Sequence, residues 1–389
     1  MYSKLKPIHK LLGILLSVIY LTACNTSTNK QHNNTGKELN EVKLNHAKGF
    51  TLYQQKDFTL LKVRDPWQGA RNIEFTYVLA HDPKKVPEAY AAYPVIEIPV
   101  RRVICMSTTH VGFLDKLHAL NSVVGLSGKR FVTTPALQKR TENDEVHEVG
   151  YESTMNYELM AGLAPDLVFT YGVGSNVASY NQKLNELGIP TVFVAEYLET
   201  TPLGRAEWIL FLAAFYDKLP EAQAYFNQVD SAYTELTHKS EQFTEKTDVL
   251  SGFPYKDTWY VPGGDSFMAN LIRDAGGNFL WPENKERKSQ ALSVETVFER
   301  ASDAEVWIHL GKANTKKQIL QYDNRFRDFA PYKQARIYNN NAVQSDGGGS
   351  AFWERGATEP HLLLKELMQI FHPEAFSSTD SLFYYKPLK

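Results

Sequence analysis

Three runs near the start of the chain, GFTLYQQ (49–55), FTLLKVRD (58–65) and IEFTYVLA (73–80), alternate apolar and polar positions with period two and are broken by Lys56-Asp57 and Pro66. They predict a small antiparallel addition at a sheet edge. Trp67, directly after Pro66, is expected to cover a core edge, with a place in a ligand site as the alternative. From Tyr93 the grammar changes to strand and helix in turn. VIEIPV and RRVICMS are strands, and a helix with Phe113, Leu114, Leu117 and Leu120 on one face follows Thr108-Thr109. Ser122 to Leu126 is a strand, and a long connecting loop follows from Phe131.

HEVGYESTMNYELMAGLAPDLVFTYGVGS (147–175) is the most informative stretch. It reads as a short amphipathic helix through Tyr157, Leu159, Met160 and Leu163, stopped by Pro165, then a buried strand from Leu167 to Tyr171. The Gly-containing loop after that strand lies where α/β sheets bind ligands. Asn181 to Leu187 as helix and Thr191 to Ala195 as strand complete a β-α-β-α-β run, hence a parallel sheet with right-handed crossovers. Residues 202–242 keep a helical period through a break at Pro220, too long for a compact lobe and natural for a connector. Alternation then resumes, with Asp248–Phe253, Val306–Leu310 and Ala335–Tyr338 as strands and Ser266–Ala275, Val294–Arg300 and Leu362–Ile370 as helices. The fold class is therefore α/β, with two lobes, each a parallel-type sheet flanked by helices, joined by one long helix. The lobes are expected over 43–201 and 243–389, with the connecting helix over 202–242.

At 389 residues, two lobes are the default. A hydrophobic share of 43% supports a sizeable core, and a net charge of −2 gives no electrostatic case for nucleic acid. The N-terminus sets the compartment. Lys4, Lys6 and Lys10 precede the apolar LLGILLSVIYLTA, too short to span a bilayer, as in a signal peptide over residues 1–23. It ends Leu21-Thr22-Ala23-Cys24, which resembles the lipobox of bacterial lipoproteins; the resemblance implies cleavage and lipidation at Cys24. Residues 24–42 are polar and aperiodic, as in a flexible tether. With Cys24 lipidated, Cys105 is the one thiol left and no intramolecular disulfide can form.

Four motifs in order carry a wider resemblance: RVICMSTTHVGFLDKL, MNYELMAGLAPDLVFTYG, VPGGDSFMANLIRDAGGNFLW and SAFWERGATEPHLLLKELMQIFHP. The chain resembles the substrate-binding proteins of bacterial ABC importers for metal chelates and corrinoids, from about Arg101 to the C-terminus. Tyr157 stands where that family more often has leucine. The resemblance implies a class III periplasmic binding protein architecture, a ligand held between the lobes, and no catalysis. It also implies that one Glu on each lobe, Glu158 and Glu354, docks on Arg residues of an ABC permease. A monomeric, membrane-anchored periplasmic lipoprotein is expected, with surface exposure as an option.

Strand-end loops would line the cleft: Ser107–His110, Val149–Met155, Tyr171–Ser175, Phe253–Tyr260 and Gly347–Trp353. They offer His110, Tyr151, Tyr171, Tyr255, Trp259, Tyr260, Phe352 and Trp353 as ligand-binding residues. This aromatic, charge-poor set suits a large planar or macrocyclic ligand, and Gly347-Gly348-Gly349 would let backbone approach it. An anionic ferric siderophore would need cations, for which Lys129, Arg130 and Lys256 are candidates. A corrinoid fits the aromatic set slightly better, and haem would want an axial ligand such as His110 or Tyr151. A zinc or manganese protein would need about three His and a carboxylate, and His110, His147 and His309 fall near strand ends. A secreted α/β enzyme is the reading of another class, although no GxSxG, P-loop, HExxH or dinucleotide fingerprint is present. An extracellular scavenger is a further option.

Overall fold

The computed structural model describes residues 39–151, 154–172, 177–377 and 381–389, with the backbone alone for 177–179. Residues 39–389 form one compact unit.

The N-terminal runs make a sheet of their own. Strands β1 (Asn40–Glu41), β2 (Phe50–Gln54), β3 (Thr59–Arg64), β4 (Glu74–Ala80) and β5 (Val95–Glu97) lie in that order, antiparallel except for the parallel β4–β5 pair. Period-two alternation puts Phe50, Leu52, Leu61 and Val63 on the buried face. The sequence led us to expect an edge addition to the parallel sheet and a tether running to residue 42. Instead the sheet stands apart, and Asn40 already pairs with Gln54. VIEIPV also joins this sheet rather than the parallel one.

The first parallel sheet has the order β10-β9-β6-β7-β8, from β6 (Val103–Cys105), β7 (Val123–Leu126), β8 (His147–Glu148), β9 (Leu167–Thr170) and β10 (Thr191–Phe193). Apart from the polar edge strand β8, its strands are near-continuous apolar runs because helices cover the sheet. These are α1 (Thr108–Lys116), α2 (Pro135–Glu142) within the expected loop, α3 (Tyr157–Gly162) and α4 (Val177–Glu186). Ser107 caps α1 by accepting from the Thr109 N–H at 3.2 Å.

The expected connector is two helices. α5 (Pro202–Ala213) is almost wholly buried, and a turn with Asp217 in the left-handed region separates it from α6 (Leu219–Ser240), where Pro220 occupies the first turn. The 22 residues of α6 rise about 33 Å at 1.5 Å each. They carry the chain from Lys218, which donates to the Leu117 carbonyl of the first lobe, to Tyr233, which donates to Asp274 of the second.

The second sheet has the order β13-β11-β15-β16-β17, all parallel but for the last strand. Its strands are β11 (Thr247–Ser251), β13 (Gly277–Phe279), β15 (Val306–Ile308), β16 (Ile337–Asn339) and β17 (Lys386–Pro387), while β12 (Thr258–Val261) pairs antiparallel with β14 (Gln290–Ser293). α7 (Phe267–Asp274), α8 (Val294–Ala301), α9 (Lys316–Tyr322), α10 (Ala330–Lys333), α11 (Ala351–Glu354) and α12 (Pro360–Phe371) complete it. No helix among the described residues is long and apolar enough to cross a membrane.

Candidate functional site: a basic cleft between the lobes

The two lobes meet along two fronts, one dry and one open. On the dry front residues 345–359 press onto the first lobe. A Cβ on Gly112 of α1 would lie 1.9 Å from the Glu354 carbonyl oxygen, and one on Gly349 1.9 Å from the Phe131 carbonyl oxygen. Only glycine lets the two backbones approach so closely. Glu354 is 1% exposed, and its carboxylate accepts from the Thr133 N–H and the Thr134 N–H, both at 2.7 Å, and from the Thr134 hydroxyl at 2.6 Å. Burial raises its carboxyl above the usual range, and those donors oppose the rise. Beside it Lys116 meets Glu359 at 2.6 Å, and Arg355 and the Tyr384 hydroxyl also donate to Glu359. Burial alone would raise the Glu359 carboxyl, yet this set of donors and cations holds it below the usual range.

This dry front corrects several expectations. Glu354 is an internal staple, not an exposed docking group, because its carboxylate faces the first lobe and is fully hydrogen-bonded. In the glycine run, Gly347 and Gly349 pack on the Arg130 and Phe131 carbonyls of the first lobe. The front also meets the chain beyond β6 at Gly112 and beyond β7 at Arg130 and Phe131. His110 is 0% exposed within α1, and burial pushes its imidazole down to about 3. Neither ring nitrogen has a partner among the described residues, and the ring stands edge-on to Phe169. It is a core residue. Phe352, 1% exposed, packs edge-on against His309, Trp353 and Tyr385 behind the cleft wall.

The open front is a cavity of about 920 Å³. The first lobe contributes the β3–β4 turn from Arg64 to Ala70, Lys48 and Gly49, the segment 195–200 after β10, and Arg205 of α5. From the second come Ser251 and Gly252 after β11, Tyr260, Pro262, the start of α7, the loop 287–289, His309 after β15, and Trp353. Strand carboxyl ends thus supply both walls, as the topology requires. Of the eight predicted ligand-binding residues, Tyr260 and Trp353 line the cavity, 51% and 49% exposed.

The others do not. Trp259 alternates with Tyr260 along β12 and faces inward; it is fully buried, donates from Nε1 to the Ser251 carbonyl at 3.0 Å and stacks on Trp307 at 5.7 Å. Tyr171 is half-buried and edge-on to Tyr197, which takes the place on the wall. Tyr151 and Tyr255 are exposed away from the cavity. Part of Val149–Met155 and of Tyr171–Ser175 lies outside the described residues, as does Cys24.

The charge of the cavity also departs from expectation. Lys48, Arg64, Arg205, Arg287 and Lys288 line it, against the acids Asp65 and Glu199. Both acids are engaged by N–H groups: Asp65 accepts from Ile73, and Glu199 from Lys48, Gly49 and the Trp208 indole. Arg287 and Lys288 are exposed and form no ion pair among the described residues. Arg205 closes the floor. Its guanidinium donates to the Tyr197 carbonyl at 2.9 Å and lies 4.0 Å from the centroid of Phe267, tying α5 to α7. Burial lowers it to about 10, with Glu196 and Glu199 opposing, so it remains charged at neutral pH. The predicted cations Lys129, Arg130 and Lys256 are not on this wall. This set is not legible in the sequence because Arg64 ends β3 of the N-terminal sheet, Lys48 precedes β2, Arg205 lies in the apolar α5, and Arg287-Lys288 belong to a loop without pattern. Trp67 both covers a core edge, packing on Phe75 and Phe193, and lines the cleft.

His309 sits at the cavity floor with φ 61°, stacked on Tyr385, whose hydroxyl is 2.7 Å from Nε2. Burial pushes it down to about 3, so it is neutral. Among the described residues no three His, Cys, Asp or Glu come together as a metal site, so His110, His147 and His309 do not form the set the zinc reading needs.

A family model described as periplasmic binding protein matches residues 103–342. The chain belongs to the periplasmic binding protein family. An uncharacterized lipoprotein of Methanocaldococcus jannaschii is 29% identical over 303 residues, covering 76% of this chain and 70% of that protein. Among solved structures, a periplasmic heme binding protein from Pseudomonas aeruginosa superposes with a TM-score of 0.57 at 13% identity, over 75% of this chain and 98% of that one. A periplasmic vitamin B12 binding protein of Vibrio cholerae gives 0.52 at 12% identity, over 72% and 99%. At such identities these neighbours share the fold alone. The mixed α/β fold with two parallel-rich sheets is thereby that of the class III periplasmic binding proteins, and the chain is a solute-binding protein.

Proposed function

We propose that this periplasmic binding protein captures an anionic iron complex of the siderophore type in its inter-lobe cleft and delivers it to an ABC permease. One observation carries the reading: five cationic residues, of which Arg64 also lies 3.8 Å from Glu74, and the aromatic residues Trp67, Tyr197, Tyr260 and Trp353 line one cavity of about 920 Å³. That volume lies at the upper end for small-molecule sites. Burying an anion without partners is costly, so a site for one must supply cations, and Arg offers planar, bidentate pairing to carboxylates and catecholates. Delivery to a permease follows the ABC-transporter role of this class of solute-binding proteins.

A corrinoid is the second reading, favoured by the same rings and by the fold shared with the vitamin B12 binding protein. It leaves the excess of cations without a purpose. The visible absorbance spectrum of protein purified from its native host separates the two. A charge-transfer band of a ferric complex supports the proposal; a corrin spectrum replaces it.

Cys24 is the proposed lipid anchor, supported by the lipobox-like LTAC and by the lipoprotein name of the archaeal relative. It would hold the protein at the outer face of the membrane on a tether of about 15 residues, since β1 begins at Asn40. Glu158 is the proposed permease contact. It is exposed on the first turn of α3, where Asn156 caps the helix by accepting from the Leu159 N–H at 3.0 Å. Glu158→Ala is expected to leave ligand affinity intact and to reduce uptake into cells; full uptake would remove it from the interface.

A further inference from the structure

A second cavity, of about 670 Å³, opens between the N-terminal sheet and α4. Its floor is aromatic. Trp67, Phe75 and Phe193 form a triangle with ring centroids 4.7 to 6.0 Å apart, and Tyr77 adjoins them. Its rim is a row of carboxamides, Asn181, Gln182 and Asn185, on α4, with Asn181 and Asn185 one turn apart on one face. No cation lines it, and the lone acid, Glu186, accepts from Gln182 at 3.0 Å.

Asn181 is 8% exposed, and its Oδ1 has no hydrogen-bond partner among the described residues. A buried acceptor left without a donor is a standing cost that a fold normally avoids, and because this oxygen is closed to solvent, the Asn181 carboxamide must turn toward the cavity for a ligand donor to relieve it. Trp67, Phe75 and Tyr77 all precede the residues matched by the family model, which begins at residue 103. Three of the four aromatic residues of the floor are therefore supplied by the chain ahead of the matched residues.

The geometry points to a second ligand site here, for a neutral saccharide. A pyranose presents one face of C–H groups, which suits the electron-rich face of an aromatic ring, and an edge of hydroxyls that both donate and accept, as carboxamides do. An anion would find no cation, and a cation would find its one acid already engaged. Trp67 also lines the principal cleft, so a sugar seated on it touches the wall of the transport site from behind.

The test is a thermal-shift and calorimetric titration of the full chain with maltose, cellobiose and diacetylchitobiose at up to about 10 mM, a range that reveals millimolar affinities. One of the three is expected to raise the melting temperature and bind one to one. Asn181→Leu is expected to weaken that binding about tenfold, the loss of one well-made hydrogen bond, while the melting temperature without sugar stays the same or rises. Asn185→Ala, at an exposed position, should weaken binding without affecting folding. Retention on solid amylose, cellulose or chitin would assign the site to a glycan chain, and disaccharide binding without retention to a free sugar. The proposal is overturned if none of the three sugars binds, or if Asn181→Leu and Asn185→Ala bind as the parent does.

Discussion

The same two lobes meet dry along residues 345–359 and open along the basic cavity, and the contrast shows how one interface serves two purposes. On the dry front the contacts are backbone against backbone at glycines, with buried carboxylates whose every oxygen finds a donor. Such contacts are intolerant of added volume and fix how the lobes sit. On the open front several side chains are long, charged and exposed, and the floor holds the locked Arg205 along with His309. A ligand can therefore rearrange Arg287, Lys288 and Tyr260 at little cost while the lobes stay registered by the dry front.

Mutations on the two fronts should separate stability from binding. Trp259→Ala, behind the cleft, is expected to cost about 3 to 5 kcal/mol of stability in chemical denaturation, as for other large core truncations. Trp353→Ala, on the cleft, should cost under about 1 kcal/mol of stability and weaken ligand binding instead. Equal stability losses in the two would break the contrast. On the dry front Glu354→Leu leaves the Thr133 and Thr134 donors buried without a partner, for an expected loss of about 3 kcal/mol. Glu354→Gln, which keeps one acceptor oxygen, should lose less.

Acid should loosen the core before it empties the cleft. His110 and His309 have folded pKa values pushed down to about 3, against an ordinary value of 6.5. The unfolded chain binds more protons than the folded one between those limits, so the stability these residues confer is complete above pH 6.5 and declines as the pH falls toward 3. His110→Phe, which keeps a ring against Phe169, is expected to spare about 2 to 3 kcal/mol of the loss between neutral pH and about pH 4.5, read from urea midpoints. An unchanged pH profile would show that His110 is not buried neutral.

The parts of this architecture legible in sequence were those with a strong period. β9, β10, α7, α8 and α12 fall within a few residues of their expected bounds because apolar positions repeat over whole elements. The connector was legible as helical with a break near Pro220; the separation into two helices at the Asp217 turn was not, since the apolar period runs on through it. The site was harder. Period two along β12 places one of Trp259 and Tyr260 inside and the other in the cleft, and composition cannot say which. The cations of the cleft come from β3 (Arg64), the segment before β2 (Lys48), α5 (Arg205) and the loop 287–289, brought together by tertiary packing alone. Glu354 looked like a surface acid on a short helix, and the partners that bury it are more than 200 positions away in the sequence.

The central claim is that the open front holds an anion by its cations. The most direct test is a fluorescence titration of the chain with a ferric tris-catecholate at low and high salt, alongside the double variant Arg287→Ala, Lys288→Ala. The account predicts one-to-one binding that weakens as salt is raised and falls at least about tenfold in the variant, with stability changed by less than about 0.5 kcal/mol. Binding that ignores both salt and the two substitutions, or a preference for cyanocobalamin under the same conditions, would contradict it.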